Sequence, residues 1–343
     1  MRTDPTTGRR VLIAEGRAAR PNDFVELATP SHHSSAHCPF CRGHENETPH
    51  ELAVVNDAQG AWQVRVVPNK YPAVALASGE REPPASQALT ANLAGDLRPP
   101  LASHGVHEVI IESPRHVHDW SELSAEELAA VLTMFRDRIE HAYTAHHIKS
   151  ALVFKNVGQA AGASLEHIHS QMIALPFVPE VLDCELNIAA DFHDRTGACL
   201  MCRLVADEIQ QGSRLVIENS YFAAICAYAG RQPYETWIMP KAHASDFARM
   251  SAPESAALAD ILGELVRRLR AVLSPCAYNL VLHTAPREDK RAAAFHWHWE
   301  LIPRSTSLAG FEWGTGMHIN SVSPERAAIR LRALKFGENL PIQ

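Results

Sequence analysis

Two stretches of the chain carry apolar residues at the three-and-four spacing that lines one side of an α-helix. Leu128, Val131, Leu132, Phe135 and Ile139 form the first stripe, and Leu258, Ile261, Leu262, Leu265 and Leu269 form the second. Each stripe follows a start signal, Ser124-Ala-Glu-Glu127 or Ser251-Ala-Pro-Glu254. A hydroxyl followed three residues later by a carboxylate can satisfy the free amides of a first helical turn. Short β-rich runs flank both helices: residues 108–112 and 151–154 around the first, 236–239 and 278–282 around the second. The break between the two series falls at 177–195, with a linking helix expected over 183–192. The stretch 77–100, rich in Pro, Ala and Ser, reads as a surface loop or flap.

The polar residues repeat in step with the apolar ones. The first series runs Cys38-x-x-Cys41, His116-x-x-Asp119, helix, strand, His167-x-His169. The second runs Cys199-x-x-Cys202, His243-x-x-Asp246, helix, strand, His296-x-His298. Chance rarely preserves such an order, so an internal repeat is expected. A chain of 343 residues is long enough for two cores, and we divide it into domains 1–185 and 186–343.

In an extended strand His167, His169 and Gln171 share one edge. Unprotonated imidazole is a good nucleophile toward phosphorus near neutral pH. The expected chemistry is phosphoryl or nucleotidyl transfer through a phosphorylated histidine. The cysteine pairs suggest metal, because a tetrahedral zinc site commonly takes two thiolates from a tight knuckle and two imidazoles from elsewhere. Cys38, Cys41, His116 and His167 meet that requirement in the first repeat, and Cys199, Cys202, His243 and His296 do so in the second. His118 and His298 compete as ligands one step along their motifs, and His32, His33, His37 and His44 lie near the first knuckle. Cys184, Cys226 and Cys276 have no comparable spacing and read as small buried residues.

A net charge of -7 argues against a general nucleic-acid binder while allowing a local phosphate pocket. Seven cysteines would be odd for a secreted disulfide scaffold of this size. With no secretory-type apolar segment and no run long enough to cross a bilayer, a soluble cytoplasmic protein is expected.

A series of short motifs then goes beyond general chemistry: Arg17-Ala-Ala-Arg20-Pro21, Cys38-Pro-Phe-Cys41-x-Gly43-x-Glu45, Pro68-Asn69-Lys70-Tyr71-Pro72-Ala73, Ser113-Pro-Arg-His116, Asn156-x-Gly158, Gly162-Ala-Ser164, His167-x-His169-x-Gln171 and His296-x-His298-x-Glu300. In this order they resemble the galactose-1-phosphate uridylyltransferase family of the histidine triad superfamily. The resemblance implies an α+β fold of two tandem histidine-triad-like domains, each an antiparallel sheet with a packed helix. It implies His169 as nucleophile, with His167 binding zinc through its ring and orienting His169 through its backbone carbonyl. Gln171, an amide where the hydrolytic branch has a third histidine, would hydrogen-bond a phosphoryl oxygen without relaying a proton. Arg17 and Arg20 would lie near the phosphates, and Asn69, Asn156, Gly162 and Ser164 would line the nucleotide pocket.

The implied reaction is ping-pong. A nucleotide sugar (UDP-glucose, UDP-galactose or ADP-glucose) charges the histidine, and a sugar-1-phosphate or phosphate discharges it. UDP-glucose:hexose-1-phosphate uridylyl transfer is the leading expectation. Residues 154–158, 161–164, 169–172 and 310–316 resemble more closely the branch that includes ADP-glucose phosphorylase, so adenylyl transfer to phosphate is the alternative. A zinc-stabilised nucleotide-binding protein without catalysis is the reading from another class. Glu300 stands where the first repeat has Gln171, and a carboxylate repels an anionic phosphoryl group, so the second repeat is expected to lack transferase activity. A homodimer is among the expected partnerships; nucleic acid and membrane are not.

Overall fold

The computed structural model describes residues 1–19, 37–76, 104–146 and 148–334. Arg20, His32, His33 and the expected loop over 77–100 lie outside the described residues. Strands β1 (Arg2–Thr3) and β2 (Arg10–Ile13) come first. The first repeat then supplies β3 (Ala53–Asn56), β4 (Trp62–Pro68), β5 (Val106–Ile111), helix α1 (Ala125–Ala145), β6 (Ser150–Val157) and β7 (His169–Leu175). Helices α2 (Glu180–Thr196) and α3 (Leu200–Gln211) follow. The expected linking helix is real and longer than anticipated, and position 185/186 falls inside it.

The second repeat gives β8 (Leu215–Glu218), β9 (Phe222–Cys226), β10 (Thr236–Pro240), α4 (Ala252–Val272), β11 (Tyr278–His283) and β12 (His298–Pro303). The short helix α5 (Gly310–Thr315), β13 (His318–Asn320) and α6 (Pro324–Arg332) come last. Strand β13 runs parallel to β2, tying the two ends of the described chain into a small sheet with β1.

Among the described residues the large sheet has ten strands in the order β3-β4-β5-β7-β6-β11-β12-β10-β9-β8. Read outward from its centre, the order is the same on both sides: β6, β7, β5, β4, β3 in one half and β11, β12, β10, β9, β8 in the other. The expected α+β architecture of two tandem antiparallel units is therefore present. The halves meet where β6 and β11 pair antiparallel, with Asn156 opposite Asn279 and Lys155 opposite Leu280.

Strand alternation sorts the side chains. One face carries Ile110, Val153, Met172, Leu280, Leu282, Trp299 and Leu301, all buried. The apolar stripes of α1 and α4 pack on it to form the main core. Both capping boxes form: Ser124 N–H donates to Glu127 Oε2 at 2.8 Å, and Ser251 N–H donates to Glu254 Oε2 at 2.8 Å. The helices also touch each other, Ser255 Oγ donating to the Ala129 carbonyl at 3.2 Å. The opposite face takes the smaller clusters built on the two cysteine knuckles. The side chains of His169 and Gln171 lie on that side.

Candidate active site

The register places Ile111 opposite His169 and Val109 opposite Gln171 on β5, and Phe154 opposite Gln171 on β6. These residues therefore share the face turned away from α1 and α4. Strand β7 begins at His169, so His167 sits in the bend before it rather than in the strand expected from sequence. The bend turns its ring toward the knuckle. The edge of Phe40, between the two knuckle cysteines, meets both rings, with centroids 5.9 Å from His167 and 5.3 Å from His169.

His169 Nδ1–H donates to the His167 carbonyl at 2.8 Å. A proton fixed on Nδ1 leaves the lone pair on Nε2. Burial, only partly offset by that hydrogen bond, lowers the pKa of His169, so the ring is neutral at neutral pH. His167 is anchored in turn. Its Nε2–H donates to the Ser113 carbonyl at 2.8 Å, which frees Nδ1 to face the cysteines. Burial brings its pKa down to about 4.

Beneath this strand, on the helix side, lies a network that sequence reasoning missed. Lys155 Nζ donates to the His169 carbonyl at 3.1 Å and to Glu112 Oε2 at 2.6 Å. Glu112 also accepts from Trp120 Nε1 at 2.8 Å and from Ser170 Oγ at 2.5 Å. Lysine and glutamate are both buried, at 1% relative exposure. A buried charge is tolerated when it is paired and hydrogen-bonded, and here the pairing clamps the peptide that carries His169.

On the open side Gln171 Oε1 accepts from His107 Nε2–H at 2.9 Å and from Asn69 Nδ2 at 3.3 Å. Asn156 is brought to the same face and accepts from Asn279 Nδ2 of the second repeat at 2.7 Å. The Asn279 amide also donates to the Ala161 carbonyl at 2.9 Å, holding the Gly158–Gly162 turn. A Cβ on Gly162 would come within 3.9 Å of Asn156 Nδ2. Ser164 is exposed in the loop leading to His167. Arg17 is exposed on the short helical turn Glu15–Ala19, whose Glu15 accepts from Ser323 Oγ. Among the described residues it shares no hydrogen bond or ion pair with the His169 group.

Both expected ligand sets assemble. A tetrahedral ion with sulfur at about 2.3 Å and nitrogen at about 2.05 Å holds S and N roughly 3.6 Å apart. In the first group Cys38 Sγ lies 3.4 Å from His167 Nδ1, and Cys41 Sγ lies 3.3 Å from His116 Nδ1 and 3.5 Å from His167 Nδ1. In the second, Cys199 Sγ to His296 Nδ1 is 3.7 Å, Cys202 Sγ to His243 Nδ1 is 3.7 Å, and Cys202 Sγ to His296 Nδ1 is 3.4 Å. The other nitrogens of His243 and His296 donate to the Ala293 and Pro240 carbonyls, leaving each Nδ1 free to ligate. Burial, then the neighbouring Cys38, pushes the Cys41 thiol up to about 11. A cation among the donors is what converts such a pair to thiolates. Both groups can hold a metal ion. His118 stacks edge-on against His116 at 5.5 Å, and His44 bonds the Cys38 carbonyl, so both support the first group from outside it.

The second repeat copies the scaffold of the first. His298 Nδ1–H donates to the His296 carbonyl at 3.1 Å, as His169 does to His167. Its surroundings differ. His298 is 1% exposed and stacks on His283 with centroids 4.8 Å apart, and its Nε2 is buried with no hydrogen-bond partner. Glu300 is bonded by Arg231 at 2.5 Å, and His283 Nδ1 is bonded to Glu185 at 2.9 Å. Burial would lower the pKa of His283, but Glu185 and Glu300 reverse this and raise it to about 10. The ligand atoms of Glu185, His283, His298 and Glu300 all lie within 4.8 Å of one another. Sequence reasoning passed over this group, whose visible trace was the His298-x-Glu300 pair.

Comparison with known proteins agrees with this geometry. Residues 1–179 match the family described as galactose-1-phosphate uridyl transferase, N-terminal domain, and residues 102–335 match a domain of unknown function, DUF4921. An ADP-glucose phosphorylase of Arabidopsis thaliana is 32% identical across 98% of this chain and 93% of its own length. A galactose-1-phosphate uridylyltransferase of Thermotoga maritima is 26% identical across 97% of each chain. The crystal structure of an Arabidopsis thaliana ADP-glucose phosphorylase with bound ADP-glucose superposes with a TM-score of 0.81, at 32% identity, over 97% of this chain and 98% of that one. A uridylyltransferase structure gives 0.72 at 29% identity over 97% of each. With the repeat, the His-x-His-x-Gln edge and the whole-length similarity in agreement, the chain belongs to the galactose-1-phosphate uridylyltransferase family.

Proposed function

We propose that the protein is a nucleotidyltransferase that moves a nucleoside monophosphate from a nucleotide sugar to a second phosphate-bearing acceptor through a covalent nucleotidyl-His169 intermediate. The observation that carries this reading is the His169 Nδ1–H bond to the His167 carbonyl, which presents Nε2 as a neutral nucleophile. In the first half-reaction Nε2 attacks the α-phosphorus. The P–O bond to the sugar phosphate breaks, and its electron pair leaves on the sugar-1-phosphate oxygen. In the second half, an acceptor phosphate oxygen attacks the same phosphorus, the N–P bond breaks, and the neutral imidazole returns. The ring becomes cationic while it carries the phosphoryl group, and the carbonyl at Nδ1 stabilises that charge. Gln171 has no proton to relay, so it holds a phosphoryl oxygen without activating water.

Asn69, Asn156, Gly162 and Ser164 line the nucleotide side in this reading, and Arg17 and Arg20 serve the phosphates. Zinc held by Cys38, Cys41, His116 and His167 would fix the nucleophile's platform, and a second zinc on Cys199, Cys202, His243 and His296 would brace the other repeat. The division of labour follows the 185/186 boundary, with the nucleophile in residues 1–185 and a sealed copy in 186–343.

Two donors fit. Uridylyl transfer between UDP-glucose and a hexose-1-phosphate is supported by the relatives of that name. Adenylyl transfer from ADP-glucose to phosphate is supported by the 32% identity to an ADP-glucose phosphorylase along nearly the whole chain. All seven cysteines are free and no described helix is long and apolar enough to cross a membrane, which suits the cytoplasm. We also carry the homodimer forward, and light scattering reads it directly.

UDP-glucose and ADP-glucose, each labelled in the α-phosphate, should be tested separately for acid-labile labelling, with galactose-1-phosphate or phosphate as the chase. One donor is expected to label the wild type, while His169→Ala binds that donor and takes up no label. Persistent labelling of His169→Ala would move the nucleophile elsewhere.

A further inference from the structure

We propose that His107 sets the orientation of the Gln171 carboxamide and so acts as a positioning residue for transfer at His169. The proposal rests on Gln171 being the group that donates to the phosphoryl oxygen. An amide can be turned either way, and only one way presents N–H to that oxygen.

Two backbone N–H groups, which can only donate, determine the direction here. Tyr71 N–H donates to Asn69 Oδ1 at 2.8 Å, so the other end of that amide, Nδ2, faces Gln171. Ala73 N–H donates to His107 Nδ1 at 3.0 Å. A ring nitrogen that accepts carries no proton, so the proton of the neutral imidazole is on Nε2, 2.9 Å from Gln171; Asn69 Nδ2 lies 3.0 Å from that same Nε2, and as both are donors they do not bond each other but share the Gln171 atom as acceptor. Two donors thus converge on one Gln171 atom, and that atom must be the oxygen. Reversing the amide would set its NH2 against two other N–H groups and leave them without an acceptor.

The register supplies the rest. His107 stands opposite Ile173, two residues along β7 from Gln171 and on the side away from His169. With its oxygen held by His107 and Asn69, the Gln171 NH2 is the end left to donate, in this proposal to the phosphoryl group on His169. The donors aimed at the phosphoryl oxygen are therefore set by residues 69–73 of the loop after β4, through His107 and Asn69. The imidazole holds the amide in place before any substrate arrives.

The test compares His107→Leu, His107→Gln, Gln171→Ala and the double variant His107→Leu/Gln171→Ala. The readouts are single-turnover labelling of His169 by α-phosphate-labelled ADP-glucose and UDP-glucose, and the affinity for each donor. Leucine at 107 removes the donor, whereas glutamine keeps an N–H at similar reach. His107→Leu is expected to slow labelling 10- to 100-fold, toward the effect of losing one oxyanion donor, with affinity changed less than threefold. His107→Gln should restore most of the rate, and the double variant should be no slower than Gln171→Ala. The proposal is overturned if the two losses multiply in the double variant, or if His107→Leu labels at the wild-type rate while Gln171→Ala is slow. If Gln171→Ala itself labels normally, the reading of Gln171 has failed, and the positioning role falls with it.

Discussion

At the scale of single residues, the proposed nucleophile His169 is held by side chains that have no part in the proposed transfer. From the helix side of the sheet Lys155 reaches the His169 carbonyl and pairs with Glu112, which also gathers Ser170 and Trp120. Removing one partner of a buried pair strands the other, so Lys155→Met should cost about 3–5 kcal/mol in chemical denaturation. The double variant Lys155→Met/Glu112→Gln should recover part of that loss. The proposed nucleophile and the two cysteine–histidine groups stood out in the sequence because histidines and cysteines at tight spacings differ from a background that cannot do their chemistry. Lys155 and Glu112 did not. A charge at the end of an apolar run looks like the end of a strand, and only the pairing of β5, β7 and β6 shows that two such ends face each other indoors. Gln171 was legible from its place in the motif, but its orientation was not, because that is written in the amides of residues 71 and 73, which any sequence supplies.

Elements were the best-read level, since periodicity and capping are local. Both long helices begin where their Ser-x-x-Glu signals place them, and Ser124→Ala should cost about 1 kcal/mol through loss of the cap. Turns that depend on long-range approach were harder to read. Gly158 has φ +80°, and a Cβ there would sit 2.9 Å from that of Ala277 in the second repeat. Gly158→Ala should therefore distort the turn beside Asn156, at a cost of about 1–3 kcal/mol, and raise KM for the donor more than it lowers kcat.

Helix α6 is joined to the rest by Glu325. Burial would raise its pKa, but hydrogen bonds from Arg2 and Arg214 win and bring it down to about 2. A carboxylate depressed on folding stabilises the protein above its unfolded pKa of about 4.3, and that stability is lost as pH falls toward 2. Glu325→Gln should lower stability at pH 7 by on the order of 1 kcal/mol, a figure discounted for screening at a side chain 29% exposed. It should also flatten the acid limb of an unfolding titration between about pH 4.3 and 2.

For the whole molecule the repeat was readable, whereas the joining of its halves into one sheet was not, because strand order across a duplication leaves no periodic trace. Metal analysis is expected to give two zinc ions per chain. Cys199→Ser should reduce this to one, with lower stability but continued labelling of His169. Cys38→Ser should lose both its metal and the label. The seam at β6 and β11 is a backbone ladder, with Asn279 bridging it to Asn156. A ladder is indifferent to most of the side chains it carries. The repeat that carries Glu300 can therefore differ from its neighbour around its own histidine while the seam that joins them stays the same. It stands as a wall beside the working half, reaching into it at Asn279 as well as through Ser255, Arg270 and Arg287.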